Sequence, residues 1–190
     1  MVGQGAEAAT LTSLARFTLR AAGQLTGDPV LAARQLNATL VDQPELSLCT
    51  AACAGLLPRP GGGVLARIVC CGHPLPLLLR DGSVIEAGRP GPILGAGPRD
   101  AWPVTELELR PGDTLVLYTD GVTEALGERE RFGEDRLVRC LAEGPSDPDG
   151  LVAHLAATLD AFQLPGQRDD TAVLAMRLVG VPAPAGARAV

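Results

Sequence analysis

The sequence contains no lysine, and all 16 of its basic residues are arginine. Against 22 acidic residues, this gives a net charge of −6. Proteins that bind nucleic acid usually carry a basic stripe that neutralises phosphates, and none is present here. Nucleic acid is therefore not an expected partner, and the missing lysine indicates codon bias rather than chemistry.

Long hydrophobic runs are also absent. No apolar segment approaches the roughly 18–20 residues that a membrane-spanning helix needs, and residues 1–5 do not resemble the start of a secretory signal. We therefore expect no membrane association and a cytoplasmic location.

The five cysteines are an odd number without the spacing of a disulfide framework. Cys70 and Cys71 are adjacent, and Cys49, Cys53 and Cys140 lie among apolar residues. This pattern favours small buried side chains over a zinc site or disulfides.

Hydrophobic periodicity and turn signals predict an α+β domain over residues 1–179, followed by a disordered tail over residues 180–190. Asp28-Pro29 and Asp147-Pro148 are helix-start signals, and Asp81-Gly82 predicts a hairpin turn. In chain order, the predicted elements are helices over residues 6–22 and 29–42; strands over residues 47–57, 64–71, 76–80, 83–86, 104–109 and 113–119; helices over residues 134–143 and 148–162; and a strand over residues 171–178. Strands grouped apart from helices favour antiparallel sheets in layers.

Acidic residues at strand ends are the main chemical feature. Asp120 directly follows a predicted strand, and Asp169-Asp170 precedes the last one. Carboxylates that converge at a rigid edge bind hard divalent cations such as Mg²⁺ or Mn²⁺. Taken singly, however, Asp-Gly is a common turn pair, an Asp pair is usually a solvated loop, and His73 is more often structural than catalytic.

Several motifs occur in one order along the chain. They are Gly72-His73-Pro74; Gly91-Pro92-Ile93-Leu94-Gly95; Leu109-Arg110-Pro111-Gly112-Asp113; Leu117-Tyr118-Thr119-Asp120-Gly121-Val122-Thr123-Glu124; Phe132-Gly133; and Asp169-Asp170. This set resembles the SpoIIE branch of the PPM (protein phosphatase 2C-like) serine/threonine phosphatases. The resemblance extends over nearly the whole chain.

The resemblance implies an αββα sandwich of two antiparallel sheets flanked by helices, with two Mn²⁺ or Mg²⁺ ions at one edge. In such enzymes a metal-bound water attacks the phosphorus of phosphoserine or phosphothreonine, so no protein side chain is the nucleophile. The usual partner is a phosphorylated anti-anti-sigma (STAS) protein, which implies a role in sigma-factor regulation.

Site residues are carried over by motif. Asp120 and Asp169 are implied metal ligands, and Asp170 has a supporting or additional-ion role. Gly121 is expected to permit a sharp turn behind Asp120. His73 is expected to shape its turn without being catalytic. Thr123 and Glu124 are expected to support the loop.

The sequence departs from the family pattern at its front. Gly3-Gln4-Gly5 matches the family's first helix start, but the Gly-Asp-Val strand that should precede it is missing. That aspartate bridges both ions, so we expect a sandwich lacking its first strands and impaired activity. The alternative is a non-catalytic module that binds a regulatory phosphoprotein.

Overall fold

The computed structural model describes residues 6–43, 47–60, 63–99, 101–164 and 170–180, and the side chains of these residues from Ala9 onward. The predicted tail from residue 181 and the prediction for Asp169 lie outside the described residues. The helices are α1 (Ala6–Thr26), α2 (Pro29–Val41), α3 (Asp120–Thr123), α4 (Gly133–Glu143) and α5 (Pro148–Phe162). The strands are β1 (Ala51–Pro58), β2 (Val64–Cys71), β3 (Leu77–Arg80), β4 (Ser83–Glu86), β5 (Val104–Leu109), β6 (Thr114–Tyr118) and β7 (Val173–Arg177).

Local capping fixes where two of the helices begin. The Asp28 carboxylate accepts a hydrogen bond of 2.9 Å from the Val30 amide at the start of α2. The Asp147 carboxylate accepts one of 2.7 Å from the Gly150 amide at the start of α5. Each aspartate satisfies an amide that has no partner within its helix, and a proline follows at the first helical position. Both predicted helix starts are therefore confirmed.

The strands form two antiparallel sheets, as predicted. The first sheet has the order β1-β2-β5, and the second has the order β4-β3-β6-β7. The β3–β4 hairpin closes through Asp81 and Gly82, both with positive φ. β6 lies between β3 and β7, which agrees with the central position that its apolar sequence predicts.

Side-chain alternation in the sheets separates three cores. Ala66, Ile68 and Cys70 of β2 face the second sheet, while Val69 and Cys71 face the helices α1 and α2. β6 divides in the same way, because Leu115 packs between the sheets and Val116 packs against α4 and α5. The layers are therefore helix, sheet, sheet, helix, which confirms the predicted αββα sandwich.

Two boundaries differ from the sequence prediction by four residues, and one short helix is not predicted, while the ends of several other elements differ by one or two residues. β1 begins at Ala51 rather than near residue 47, because Cys49 forms an isolated bridge with Leu94 outside the regular ladder. α1 continues to Thr26 and ends at Gly27, whose φ is +63°. The short helix α3 is not predicted, since four residues are too few to show a helical period.

The cysteines are free thiols, and four of the five are buried. Burial raises the pKa of Cys53 and of Cys70 to about 11, and it raises the pKa of Cys71 as well. A thiol is reactive and binds metals as the thiolate, which these raised pKa values disfavour. The predicted packing role is therefore confirmed for Cys49, Cys70, Cys71 and Cys140, and Cys53 is half-buried.

Within the described part of the chain, no helix combines the length and apolarity of a membrane span.

Candidate metal centre

Strand ends from both sheets meet at one end of the sandwich. In the first sheet, the start of β1 pairs with the end of β2 (Ala51 with Cys71). In the second sheet, the end of β6 pairs with the start of β7 (Tyr118 with Val173). We call this end the site edge and define it by five residues that flank these strands: Thr50, His73, Thr119, Asp120 and Asp170.

Asp120 begins a single helical turn at the end of β6. The turn is closed by the Glu124 amide, which donates to the Asp120 carbonyl at 2.8 Å, and by the Val122 amide, which donates to the Thr119 carbonyl at 3.0 Å. The Thr123 hydroxyl also donates to the Asp120 carbonyl, at 3.2 Å. Because its main chain is used in these bonds, the exposed Asp120 carboxylate projects from a fixed backbone.

Three hydrogen bonds join Thr119 to the segment before β7. The Thr119 hydroxyl donates to the Asp170 carbonyl at 3.2 Å and accepts from the Ala172 amide at 2.9 Å. The Thr119 amide donates to the Ala172 carbonyl at 3.0 Å. The main chain that carries Asp170 is therefore held beside the residue that precedes Asp120.

Gly121 is required by a close approach rather than by an unusual φ. A Cβ atom at this position would lie 2.7 Å from the Asp170 carbonyl oxygen and 3.2 Å from its carbon. Real Cβ atoms do not come so close to backbone, so any larger residue would push the Asp170 segment away. A single helical turn does follow Asp120, and the close approach of the Asp170 segment is a further requirement for glycine that sequence reasoning did not identify.

His73 lies between the two sheets at this edge. Its Nδ1 atom is 3.2 Å from Thr50 Oγ1, in a hydrogen bond. Burial lowers the pKa of His73 below its ordinary value, while a backbone hydrogen bond to Tyr118 and the negative charge of Asp120 act in the opposite direction. The ring is therefore close to both Tyr118 and Asp120.

The Glu124 side chain forms an ion pair with Arg131 and makes no contact described with the other predicted site residues. Its carboxylate pairs with Arg131 at 2.6 Å, across the loop between α3 and α4. Both side chains are at least half exposed, so the pair contributes little to stability.

Sequence reasoning did not identify Thr119 or Thr50 as site residues. Thr119 stands next to Asp120 in the motif, whereas Thr50 has no local signal because its partner is 23 positions away.

The donor chemistry of the site edge fits a hard cation, because Asp120 and Asp170 offer carboxylate oxygens. Among residues 6–43, 47–60, 63–99, 101–164 and 170–180, no group of three or more His, Cys, Asp or Glu side chains is arranged to bind a metal ion, and the predicted ligand Asp169 lies outside these residues.

The sequence profile of the family described as Stage II sporulation protein E (SpoIIE) matches residues 1–179. The chain belongs to the SpoIIE family. Membership in the SpoIIE family confirms the resemblance inferred from the ordered motifs.

Solved structures share the fold of this SpoIIE-family chain. The SiaA-PP2C domain of Pseudomonas aeruginosa has a TM-score of 0.72 at 24% identity, over 93% of this chain and 72% of that one. The RsbU and RsbW domains of Rv1364c from Mycobacterium tuberculosis give 0.75 at 27% identity, over 95% and 51%. The PP2C phosphatase domain and a regulatory-domain fragment of SpoIIE from Bacillus subtilis give 0.77 at 18% identity, over 96% and 53%.

A curated relative, Protein IcfG from Synechocystis, is 36% identical over 80 residues, which is 42% of this chain and 13% of IcfG. The chain thus spans a small part of IcfG and about half of two of the solved chains.

Proposed function

We propose that the chain is a metal-dependent protein serine/threonine phosphatase domain that hydrolyses phosphoserine or phosphothreonine on a regulatory protein. The observation that carries this proposal is the joining of the Asp120 turn to the Asp170 segment by Thr119. It brings two acidic positions, separated by most of the second half of the chain, to one exposed edge. SpoIIE-family membership supports the reaction class.

The residues take the following roles in this proposal. Asp120 and Asp169 bind Mn²⁺ or Mg²⁺, two ions being expected in a complete site, and Asp170 supports them or binds a further ion. Bound metal supplies an acidified water and neutralises charge on the phosphoryl oxygens. Gly121 allows the Asp170 segment to approach, and Thr123 closes the turn by bonding to the Asp120 carbonyl. Glu124 ties the turn to the loop that follows through Arg131.

The partner in this proposal is a phosphorylated regulatory protein of the anti-anti-sigma (STAS) type, so that dephosphorylation alters sigma-factor availability. The RsbU and SpoIIE relatives support a regulatory phosphoprotein as the substrate class. The net charge of −6 makes nucleic acid an unfavourable partner.

We further propose that the bridging aspartate implied by the family resemblance has no counterpart among the 190 residues. Without that aspartate, each metal ion has fewer protein ligands. The negative charges of Asp120 and its acidic neighbours are then less well compensated and repel one another. We therefore propose that this chain alone binds metal weakly, and that full activity needs the bridging carboxylate to be supplied by a strand ending in Gly-Asp-Val.

The test is release of phosphate from a phosphorylated STAS protein, with and without Mn²⁺, by the chain and by a version extended with such a strand. Asp120→Asn should abolish metal-dependent turnover in the extended protein. Asp149→Asn, at an exposed aspartate in the first turn of α5, is the matched control and should have no effect. Absence of turnover in the extended protein would refute the proposal.

A second proposal rests on the same exposed acidic edge and requires no bound metal. In that case the chain is a non-catalytic module that binds a regulatory phosphoprotein. Tighter binding of the phosphorylated than of the unphosphorylated partner, without turnover in either version of the chain, would support it.

A further inference from the structure

His73 links the two sheets of the sandwich at the site edge. Thr50, which its Nδ1 atom contacts at 3.2 Å, directly precedes β1 in the first sheet. The main chain of Tyr118, the last residue of β6 in the second sheet, lies close enough to the ring to raise the pKa of His73. One imidazole therefore spans the gap between a strand start and a strand end that belong to different sheets.

This link is directional, and the other hydrogen bond described between the sheets, from Arg80 to the Glu108 carbonyl, lies at the opposite end of the sandwich. The cluster between the sheets consists of residues such as Ile68, Leu78 and Leu115. Apolar packing sets the distance between two sheets but tolerates small shifts of one sheet along the other. A hydrogen bond weakens steeply when its geometry changes, so the His73 contacts fix the position of the end of β6 more tightly.

The backbone around His73 holds the ring in place. Gly72 has a φ of +62°, and a Cβ atom there would lie 3.0 Å from Ile93 Cβ. The Gly72 amide donates to the Gly91 carbonyl at 2.8 Å. Pro74 follows, and a residue before proline is restricted to extended conformations. His73 thus projects from a constrained segment rather than from a free loop.

We propose that His73 is a positioning residue that fixes the Asp120 turn relative to the first sheet by bridging Thr50 and Tyr118. The inference rests on the proposed function, in which Asp120 binds the metal. Tyr118 is only two residues ahead of Asp120, and Thr119 between them carries the bonds to the Asp170 segment. A small displacement of Tyr118 is therefore transmitted to both acidic positions.

The proposal predicts that the size of the effect depends on how many of the His73 contacts a substitution removes. His73→Leu removes both contacts, Thr50→Val removes one hydroxyl without changing shape, and His73→Asn keeps a polar atom near the Nδ1 position. His154→Leu is the matched control, because that histidine lies on α5 and its neighbourhood is Gly144 rather than the site edge.

Two measurements test the proposal. The first is hydrogen exchange of the Val122 and Glu124 amides in the chain without metal, because these amides close the Asp120 turn. The second is Mn²⁺ affinity by titration calorimetry in the version extended with the Gly-Asp-Val strand, because the chain alone is proposed to bind metal weakly. His73→Leu should speed exchange of both amides and weaken Mn²⁺ binding about tenfold, the low end for residues that orient metal ligands. Thr50→Val should have a smaller effect in the same direction, His73→Asn should restore part of both, and His154→Leu should change neither.

Unchanged exchange at Val122 and Glu124 in both His73→Leu and Thr50→Val would overturn the proposal. If His73→Leu fails to fold, Thr50→Val decides the question alone, because it conserves volume. Asp120→Asn distinguishes failure of the proposed function from failure of the positioning role. If Asp120→Asn in the extended version binds Mn²⁺ as well as the unsubstituted extended version does, the proposed function fails, while the metal-free exchange data still show whether His73 positions the turn.

Discussion

Replacing Asp113 with alanine should lower the free energy of unfolding by about 3 kcal/mol at neutral pH, because it breaks a buried ion pair. Asp113 precedes β6 at the end of the sandwich opposite the site edge, and only 4% of its surface is exposed. Arg80, at the end of β3, donates to both of its carboxylate oxygens, at 2.9 and 2.5 Å. The Arg110 amide donates a third hydrogen bond, at 2.7 Å.

The expected loss in the free energy of unfolding depends on how much of the Arg80–Asp113 ion pair is accessible to water. Removing one member of a fully buried pair costs about 3–5 kcal/mol, because the remaining charge is left without a partner. The Arg80 side chain is 24% exposed and also donates to the Glu108 carbonyl, so water and one acceptor still compensate part of its charge. The expected loss is therefore at the low end of that range.

The effect should also depend on pH in a defined direction. Burial raises the pKa of the Asp113 carboxyl, but the Arg80 hydrogen bonds, the Arg110 amide and nearby positive charge outweigh it, so the pKa is lowered in the folded state. The stabilisation is thus present above the ordinary value of 3.8 and is lost as pH falls through the lowered folded-state pKa. The difference between the original chain and Asp113→Ala should be constant near pH 7 and should shrink in strong acid.

Urea unfolding followed by circular dichroism measures the difference directly. Arg59→Gln is the control, since its pair with Glu108 spans 3.6 Å with about half of each side chain exposed. That change should cost less than about 1 kcal/mol. Equal losses in the two variants, or a difference that grows in acid, would refute the reasoning.

Three further predictions concern single positions. Gly121→Ala should reduce Mn²⁺ affinity, measured by calorimetry, at least about tenfold. The new Cβ would lie 2.7 Å from the Asp170 carbonyl oxygen and would push that segment away. Unchanged affinity would contradict this. Gly23→Ala should raise the urea midpoint and stabilise the chain by about 0.5–1 kcal/mol, because Gly23 lies inside α1 with open space around it. A lower midpoint would contradict the placement of Gly23 inside a helix. Asp28→Ala should cost about 1–2 kcal/mol in the same assay, because it removes the cap of α2 and a 2.9 Å contact with Arg67. Asp28→Asn, which keeps the cap, should lose less.

Features with local causes could be predicted from the sequence. The starts of α2 and α5 follow from Asp28-Pro29 and Asp147-Pro148, because an aspartate cap and a proline act within one helical turn. The β3–β4 hairpin follows from Asp81-Gly82 for the same reason.

Features set by distant contacts could not be predicted. Cys49 is outside the regular strand because it pairs with Leu94, and no local pattern reports that bridge. The approach of the Asp170 carbonyl to Gly121 is likewise invisible in the local Asp120-Gly121 pattern. At the site edge, the motif order identified Asp120 and His73, but the contact between His73 and Thr50 depends on how two sheets are stacked.

The pairing of β6 with β7 also sets the order in which the site edge can form during synthesis. Thr119 and Asp170 are 51 positions apart, and β7 follows the second of them. A nascent chain exposes Asp120 while the segment that completes the edge is still inside the ribosome. The first sheet and its helices can pack before that point. Under the proposed function, metal binding therefore becomes possible only once β7 has left the ribosome, and a stop codon ahead of β7 would leave the site edge incomplete.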